Sequence, residues 1–240
     1  MHRICRLRLL RSCTDGLAIT PINHPAVIRQ IRRLTDIGIP VVTVNTDIKD
    51  SGRLAYVGND SFKSGETAAG LMNLVTGGCA NVGIVIGHPL VGGHTERTMG
   101  FSSRIKSHYP GIFIVGTTVN YDDDILSFSV KQKLLQEHPE IVALYLAAAG
   151  VGGACCAVKE MGLGGKIKII CHDSTEFTHK HLSEGVIVAT ITQQPFVQGA
   201  KPLEILLDYA GMGIHAQKLI YSTPKLKSRF LRTLFRTCGH

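Results

Sequence analysis

Short apolar runs alternate with longer segments of helical periodicity along most of this 240-residue chain. Gly or Pro bounds each run, and lengths of about four to eight residues fit strands that are buried on both faces. Five runs end in polar side chains or glycine: VVTVNTD (41–47), NVGIVIG (81–87), ALYLAAAG (143–150), KIKIICHD (166–173) and VIVATITQQ (186–194). The alternation extends from residue 17 to about residue 221 and predicts a doubly wound α/β fold with two parallel sheets.

Polar residues at or just beyond the strand ends are the candidate ligand contacts. Open α/β sheets bind ligands beyond the carboxyl ends of their strands. The residues there include Asn45, Asp47, Arg97, Asp173 and Gln193. Amides, carboxylates and a guanidinium form hydrogen bonds, and none of them is an obvious nucleophile. The pattern therefore favours a protein that binds a polyhydroxylated small molecule, with no enzymatic activity and no cofactor.

The net charge of +8 belongs to the two ends of the chain. Residues 1–12 and 218–240 hold 10 of the 26 basic residues and no acid, which leaves 16 basic against 18 acidic residues elsewhere. The part of the chain between the two ends has no excess of basic residues, so it is not expected to form a nucleic-acid-binding groove. No apolar run approaches the roughly 18 residues that a membrane span needs, so no membrane partner is expected. The end of the chain is predicted to be a basic tail.

Cysteine and histidine spacing favours neither disulfides nor a metal site. Seven cysteines are an odd number without a disulfide pattern. The first residues, MHRICRLRLLRSC, mix basic and apolar positions and do not resemble a signal peptide. These features predict a reduced, cytoplasmic protein. His172, His179 and His181 do not share a face of their predicted elements, so a metal site is not expected.

Several segments, in this order and spacing, resemble the type I periplasmic-binding-protein fold. They are DGLAITP (15–21), GIPVVTVNTD (38–47), YVGND, FKSG and TAAGLM (within 56–72), ERTMGF (96–101), IICHDS (169–174) and ATITQQP (189–195). Sugar-binding transport proteins and the effector domains of LacI-type transcription regulators share this fold. The resemblance implies two doubly wound parallel-sheet lobes with a ligand cleft between them. Strands that open the family's fold have no counterpart here, so the first lobe is expected to be incomplete.

The expected lobes follow from that resemblance. The first comprises residues 13–88 and 194–212, the second comprises 89–193 and 213–222, and residues 223–240 form the basic tail.

The same resemblance implies a role for four of the five candidate contacts. Asn45 would accept from a sugar hydroxyl, Arg97 would donate into the cleft, Asp173 would accept, and Gln193 would supply an amide. Alternatively, Arg97 is a surface residue at a helix start, Asp173 caps the next helix, and Gln194 replaces Gln193. A ligand that contacts both lobes would favour their closure.

Three functions remain open from the sequence. The favoured one is the sugar-sensing effector domain of a LacI-type regulator, which would reach DNA only through a domain absent from this chain and could form a homodimer. The alternative is the solute-binding receptor of a sugar ABC transporter. The second alternative is a nucleotide-binding Rossmann-like enzyme, because Gly150 and Gly152 follow a strand and Asp173 ends the next one.

Overall fold

The computed structural model describes residues 14–212, 218–221 and 225–228. Its strands are β1 (Leu17–Ile19), β2 (Val41–Val44), β3 (Ala55–Gly58), β4 (Ala80–Ile86), β5 (Ile112–Val119), β6 (Ala143–Leu146), β7 (Lys168–His172), β8 (Ile187–Thr192), β9 (Lys218–Tyr221) and β10 (Lys225–Ser228). Its helices are α1 (Pro25–Asp36), α2 (Ser61–Thr76), α3 (Gly92–His108), α4 (Asp124–Glu137), α5 (Val151–Glu160), α6 (Glu176–Ser183) and α7 (Pro195–Met212). They form two compact units, and the α/β class predicted from the sequence is confirmed.

Unit 1 contains the described residues up to Gly58 together with Pro195–Tyr221. Its four strands are all parallel, in the order β1-β2-β3-β9. Val41 and Val42 are both fully buried because successive side chains point to opposite faces of a covered sheet. Val41 packs with residues of α1, and Val42 packs with Ile205 of α7.

Unit 2 contains Asn59–Gln194 together with β10. Its sheet has the order β10-β8-β7-β6-β4-β5, with β10 antiparallel to β8 and the other pairs parallel. Ile84 of β4 packs with the helices α2 and α3 on one face. Val85, the next residue, packs with α4, α5 and α6 on the other face. This is the doubly wound arrangement, and it places several strand carboxyl ends at one edge of the unit.

The two units divide the chain at a different place from the predicted lobes. Residues 59–88, assigned to the first lobe by sequence, lie in unit 2, because β4 pairs with β5 and β6 and α2 packs against α3. Within 213–222, assigned to the second lobe, β9 pairs with β3 of unit 1. Within the predicted basic tail, β10 joins the sheet of unit 2 and residues 229–240 lie outside the described residues. Both sheets use similar short apolar strands, so strand pairing cannot be read from the pattern alone.

Helix length and hydropathy bear on membrane insertion. In the described part of the chain, no helix is both long enough and apolar enough to cross a bilayer.

Candidate functional site

Arg97 on α3 is the centre of a hydrogen-bonded cluster in unit 2. Its side chain is buried, with 4% of the residue exposed, so it is not the surface arginine of the alternative interpretation. Nη1 donates to the carbonyl oxygen of Ala147 just beyond β6 (3.0 Å), and Nη2 donates to Oε1 of Gln193 just beyond β8 (2.5 Å). Arg97 therefore connects the ends of two strands of the sheet.

Asp173 extends this cluster beyond β7. Nε2 of Gln193 donates to its Oδ1 (2.6 Å), so Arg97, Gln193 and Asp173 form one chain of side-chain hydrogen bonds. Asp173 has a left-handed backbone with φ 71°, which aspartate tolerates better than most residues. The cap of α6 is Thr175, whose side chain accepts from the N–H of Thr178, so the alternative role of Asp173 as the helix cap is wrong.

This cluster contains one donor without a partner and one partly exposed acceptor. Nε of Arg97 is buried and has no hydrogen-bond partner among the described residues. Asp173 is only partly buried, so its carboxylate can accept from a ligand hydroxyl. A guanidinium donates to hydroxyl groups and a carboxylate accepts from them. Both hydrogen bonds are charge-assisted and therefore stronger than hydrogen bonds between neutral groups. The arrangement suits recognition of a polyol.

His94 and Asp122 are neighbours of this cluster that the sequence analysis missed. Nδ1 of His94 lies 3.8 Å from Oδ2 of Asp122. Burial lowers the pKa of His94, the Asp122 carboxylate opposes that shift, and the Arg97 guanidinium adds to it. The spacing of three residues between His94 and Arg97 could have identified the histidine, because residues i and i+3 share a helix face.

Aromatic residues support the cluster from the core. Tyr145 of β6 stacks on Phe101 of α3 with ring centroids 4.4 Å apart, and its hydroxyl lies 2.9 Å from Nε2 of His172. Burial lowers the pKa of His172 well below its usual value, and the nearby Arg97 charge adds to the effect. His172 is thus a neutral core residue. Among the described residues, no group of three or more His, Cys, Asp or Glu is arranged to hold a metal ion.

The two candidates in unit 1 have different surroundings. The carboxylate of Asp47 forms two hydrogen bonds with Arg53 (2.5 and 2.6 Å) and accepts a third from Oγ1 of Thr43 (2.9 Å). Asp47 thus fixes the connection between β2 and β3. Asn45 is exposed and has a left-handed backbone with φ 62°, and its carbonyl oxygen accepts from the hydroxyl of Tyr56 (3.1 Å).

The glycines after β6 pack helices and leave no open phosphate cradle. Gly150, with φ 81°, is the N-cap residue of α5. The N–H of Gly153 donates to Oδ1 of Asp124 on α4 (3.0 Å), and a Cβ at Gly153 would collide with the backbone of Asp124. A carboxylate of the protein itself therefore occupies the start of α5, where the nucleotide-binding alternative needs a pyrophosphate.

Several proteins with similar sequences or structures are named for the sugars they bind. The ribose import binding protein RbsB of Bacillus subtilis is 27% identical over 92% of this chain and 71% of its own length. Two solved structures have a TM-score of 0.85, and each match covers 77% of the solved chain. One is GanP, a glucose-galactose binding protein from Geobacillus stearothermophilus, with 27% identity over 90% of this chain. The other, with 26% identity over 91% of this chain, is an ABC transporter solute binding protein from Burkholderia graminis in complex with D-arabinose.

The matched region spans between 50% and 71% of the length of the curated relatives. Their names also correct one expectation. The cytoplasmic location predicted from the sequence is contradicted, because the relatives are import and periplasmic binding proteins. That prediction used the residues at the start of the chain and the cysteine spacing, and neither feature is specific for a compartment.

A family profile covers most of the chain. The profile described as "Periplasmic binding protein domain" matches residues 8–213. This range includes α3, β7 and β8, which carry the hydrogen-bonded cluster. The chain belongs to the family of periplasmic binding protein domains.

Proposed function

We propose that the protein binds a small sugar through Arg97, Gln193 and Asp173, and that it serves as the solute-binding receptor of a sugar ABC transporter. The observation that carries the proposal is the chain of hydrogen bonds through these three side chains, which come from three separate elements of unit 2. Such a chain holds each polar group in one orientation before a ligand arrives. Preorganised groups bind more tightly, because less conformational freedom is lost on binding.

The chemistry of the cluster supports a neutral polyhydroxylated ligand. Arg97 brings a positive charge and Asp173 brings a negative one, and Gln193 connects them with an amide. A sugar hydroxyl can donate to the carboxylate and accept from the guanidinium at the same time. An anionic ligand would instead meet repulsion from Asp173. Asn45 of unit 1 remains a further candidate contact on sequence grounds.

The similar proteins favour the transport receptor over the regulator. RbsB of Bacillus subtilis is named an import binding protein, and the Burkholderia graminis structure is named an ABC transporter solute binding protein. The partner proposed here is therefore a membrane transporter component. The DNA contact that the sequence analysis expected through an absent domain is not part of this proposal. The relatives are binding proteins, which supports the expectation of a protein without catalytic activity.

Isothermal titration calorimetry of the full chain tests the proposal. D-Ribose, D-arabinose, D-glucose and D-galactose are titrated separately, with NAD as a ligand from the nucleotide class. We expect one or two sugars to bind and NAD to give no heat. The variant Arg97→Ala should lose the signal, whereas Arg104→Ala on the same helix should retain it. Binding of NAD alone, or sugar binding that Arg97→Ala leaves intact, would overturn the proposal.

A further inference from the structure

Side chains hold the loop that joins β6 to α5, residues 147–150. Arg97 donates to the carbonyl oxygen of Ala147 (3.0 Å), so this loop orients the guanidinium of the proposed sugar site. Nδ2 of Asn120 donates to the carbonyl oxygen of Ala149 (2.8 Å). A displacement of the loop would therefore move the acceptor that fixes Arg97.

A buried lysine reaches the same loop from α4. Lys131 is fully buried, and its Nζ donates to the carbonyl oxygen of Gly150 (3.3 Å) and to Oγ of Ser127. Oγ of Ser127 in turn donates to the Gly150 carbonyl (2.5 Å) and accepts from Nδ2 of Asn120 (3.2 Å). Lys131 thus sits at the end of a buried polar network that terminates on the loop.

We propose that Lys131 is a positioning residue, which holds the loop of residues 147–150 and thereby makes the affinity of the Arg97 site depend on pH. The proposal rests on the proposed function, because its consequence is measured as sugar affinity. Lys131 acts through Gly150 and Ser127 and does not contact the ligand.

The charge state of Lys131 determines which groups in the network donate hydrogen bonds and which accept them. A protonated amine only donates, so Ser127 must accept from it and can direct its own proton to the Gly150 carbonyl. A neutral amine can accept, so the Ser127 hydroxyl is free to turn towards Nζ and leave Gly150. The loop is therefore held most firmly when Lys131 is charged. Burial lowers the pKa of Lys131 to about 7, so both states are populated near neutral pH.

Few other groups can account for a titration at this place. The ionisable groups that face the amine are Asp124 on the same helix and Cys155 on α5. Burial raises the pKa of the Cys155 thiol far above its usual value, so it stays protonated. The strand β5, which also packs against α4, carries no titratable side chain along Ile112–Val119. Burial lowers the pKa of His94, so its titration falls below the same window.

Calorimetry from about pH 6.5 to 8.5, with whichever sugar binds, tests this role. We expect the affinity of the unmodified protein to fall about fivefold as pH rises, a modest coupling. Lys131→Met should remove the dependence, and Lys131→Gln serves as a second neutral variant should methionine not be accommodated. Lys133→Met is the matched control, because Lys133 lies on the same helix with 74% of its side chain exposed. An equal pH dependence in all variants, or none in the unmodified protein, would overturn the proposal.

A second measurement separates this proposal from the proposed function. The backbone amide shifts of Ala149 and Gly150 are followed by NMR over the same pH range without any ligand. We expect a titration with a midpoint near pH 7 in the unmodified protein and in Lys133→Met, and none in Lys131→Met. If no sugar binds but these amides titrate, the proposed function fails and the role of Lys131 in the loop stands. If a sugar binds and the amides do not titrate, the role of Lys131 fails alone.

Discussion

Gly65 on α2 packs so closely against the backbone carbonyl of Arg97 on α3 that a Cβ at position 65 would collide with that oxygen. The contact is reciprocal. A Cβ at Gly100 on α3 would collide with the carbonyl of Phe62 on α2. Two glycines thus allow the helices to approach backbone to backbone, and this approach fixes the turn of α3 that carries Arg97. Gly65 and Gly100 belong to the FKSG and ERTMGF segments. The close approach of α2 and α3 explains why each segment has a glycine at that position.

Gly65→Ala should therefore separate the two helices. We expect the free energy of unfolding to fall by about 1–3 kcal/mol, the usual cost of overpacking, and sugar affinity to fall with it. Gly70→Ala on the same helix is the matched control, since its Cβ would meet only the Tyr109 hydroxyl at 3.6 Å. This control should be neutral or stabilising by about 0.4–1 kcal/mol. Urea denaturation of both variants checks the contrast, and equal stabilities would contradict it.

Arg97→Ala should reduce sugar affinity at least tenfold, roughly 1.4 kcal/mol. The change removes two hydrogen bonds within the site and the positive charge beside Asp173. Arg97→Lys should recover only part of the loss, because a single ammonium cannot reproduce the planar fork of a guanidinium. Calorimetry measures all three proteins. Full recovery by lysine would show that charge alone matters and that the hydrogen bonds to Ala147 and Gln193 do not.

Lys131→Met should raise stability most at neutral and lower pH. Burial lowers the pKa of Lys131 from 10.5 to about 7, so the unfolded state binds more protons between these values and stability rises with pH there. Below about pH 7 the lysine is charged in both the folded and the unfolded state. The full free-energy cost of burying the charge is then present. Lowering the pKa from 10.5 to about 7 corresponds to at most about 5 kcal/mol of stability, so we expect Lys131→Met to gain a few kcal/mol.

Thermal unfolding across pH 6.5 to 10 measures this effect. The unmodified protein should become more stable with rising pH relative to Lys131→Met, and the two curves should converge near pH 10. Lys133→Met, which changes an exposed lysine of the same helix, should follow the unmodified protein. A variant that is less stable than the unmodified protein at all pH values would contradict the argument.

The parallel sheet of unit 2, and the proximity of Asp173 and Gln193 at its edge, could be predicted from the sequence. Parallel strands bring their carboxyl ends to one edge, so Asp173 after β7 and Gln193 after β8 had to lie near each other once the apolar runs were assigned as strands. Arg97 followed from the resemblance of ERTMGF to family members. Whether these residues contact a ligand remains a prediction.

Other features depend on contacts that no local pattern encodes. Asp47 stood at a strand end like the other candidates, but its partner Arg53 reaches it through the irregular connection between β2 and β3. Lys131 lies in a lysine-rich stretch, KQK, where a solvent-exposed position is the usual expectation. Its burial arises from the packing of α4 on α5. The partner of Asp47 and the burial of Lys131 both depend on tertiary pairing, which a local sequence pattern does not encode.

Asp47→Asn should destabilise the fold more than it changes the proposed sugar site. The variant leaves the Arg53 guanidinium, 9% exposed, without its carboxylate, and breaking a buried pair in this way costs about 3–5 kcal/mol. Asp50→Asn is the control, because Asp50 is exposed and contacts Arg32 through its backbone carbonyl oxygen, which the substitution keeps. Differential scanning calorimetry compares the two. A stable Asp47→Asn variant with lost sugar binding would contradict this expectation and support Asp47 as a ligand residue.

Asp173→Asn should weaken sugar binding without disturbing the fold. Asparagine tolerates the left-handed backbone at this position, and its side-chain oxygen can still accept from Gln193. The negative charge is lost, and an NH2 donor replaces one of the two acceptor oxygens. Hydrogen bonds to charged groups contribute about 1.5–3 kcal/mol, so affinity should fall at least tenfold while the melting temperature stays nearly constant.

A control distinguishes the local carboxylate from general electrostatics. Glu176→Gln removes an exposed negative charge three residues further along the chain and should leave affinity unchanged. Asp173→Ala should lose both affinity and stability, because alanine does not favour a backbone with φ 71°. If Asp173→Asn binds sugar as tightly as the unmodified protein, the carboxylate is not an acceptor for the ligand. The hydrogen bond from Gln193 would then be its whole role, with Asp173 acting only to orient that amide towards Arg97.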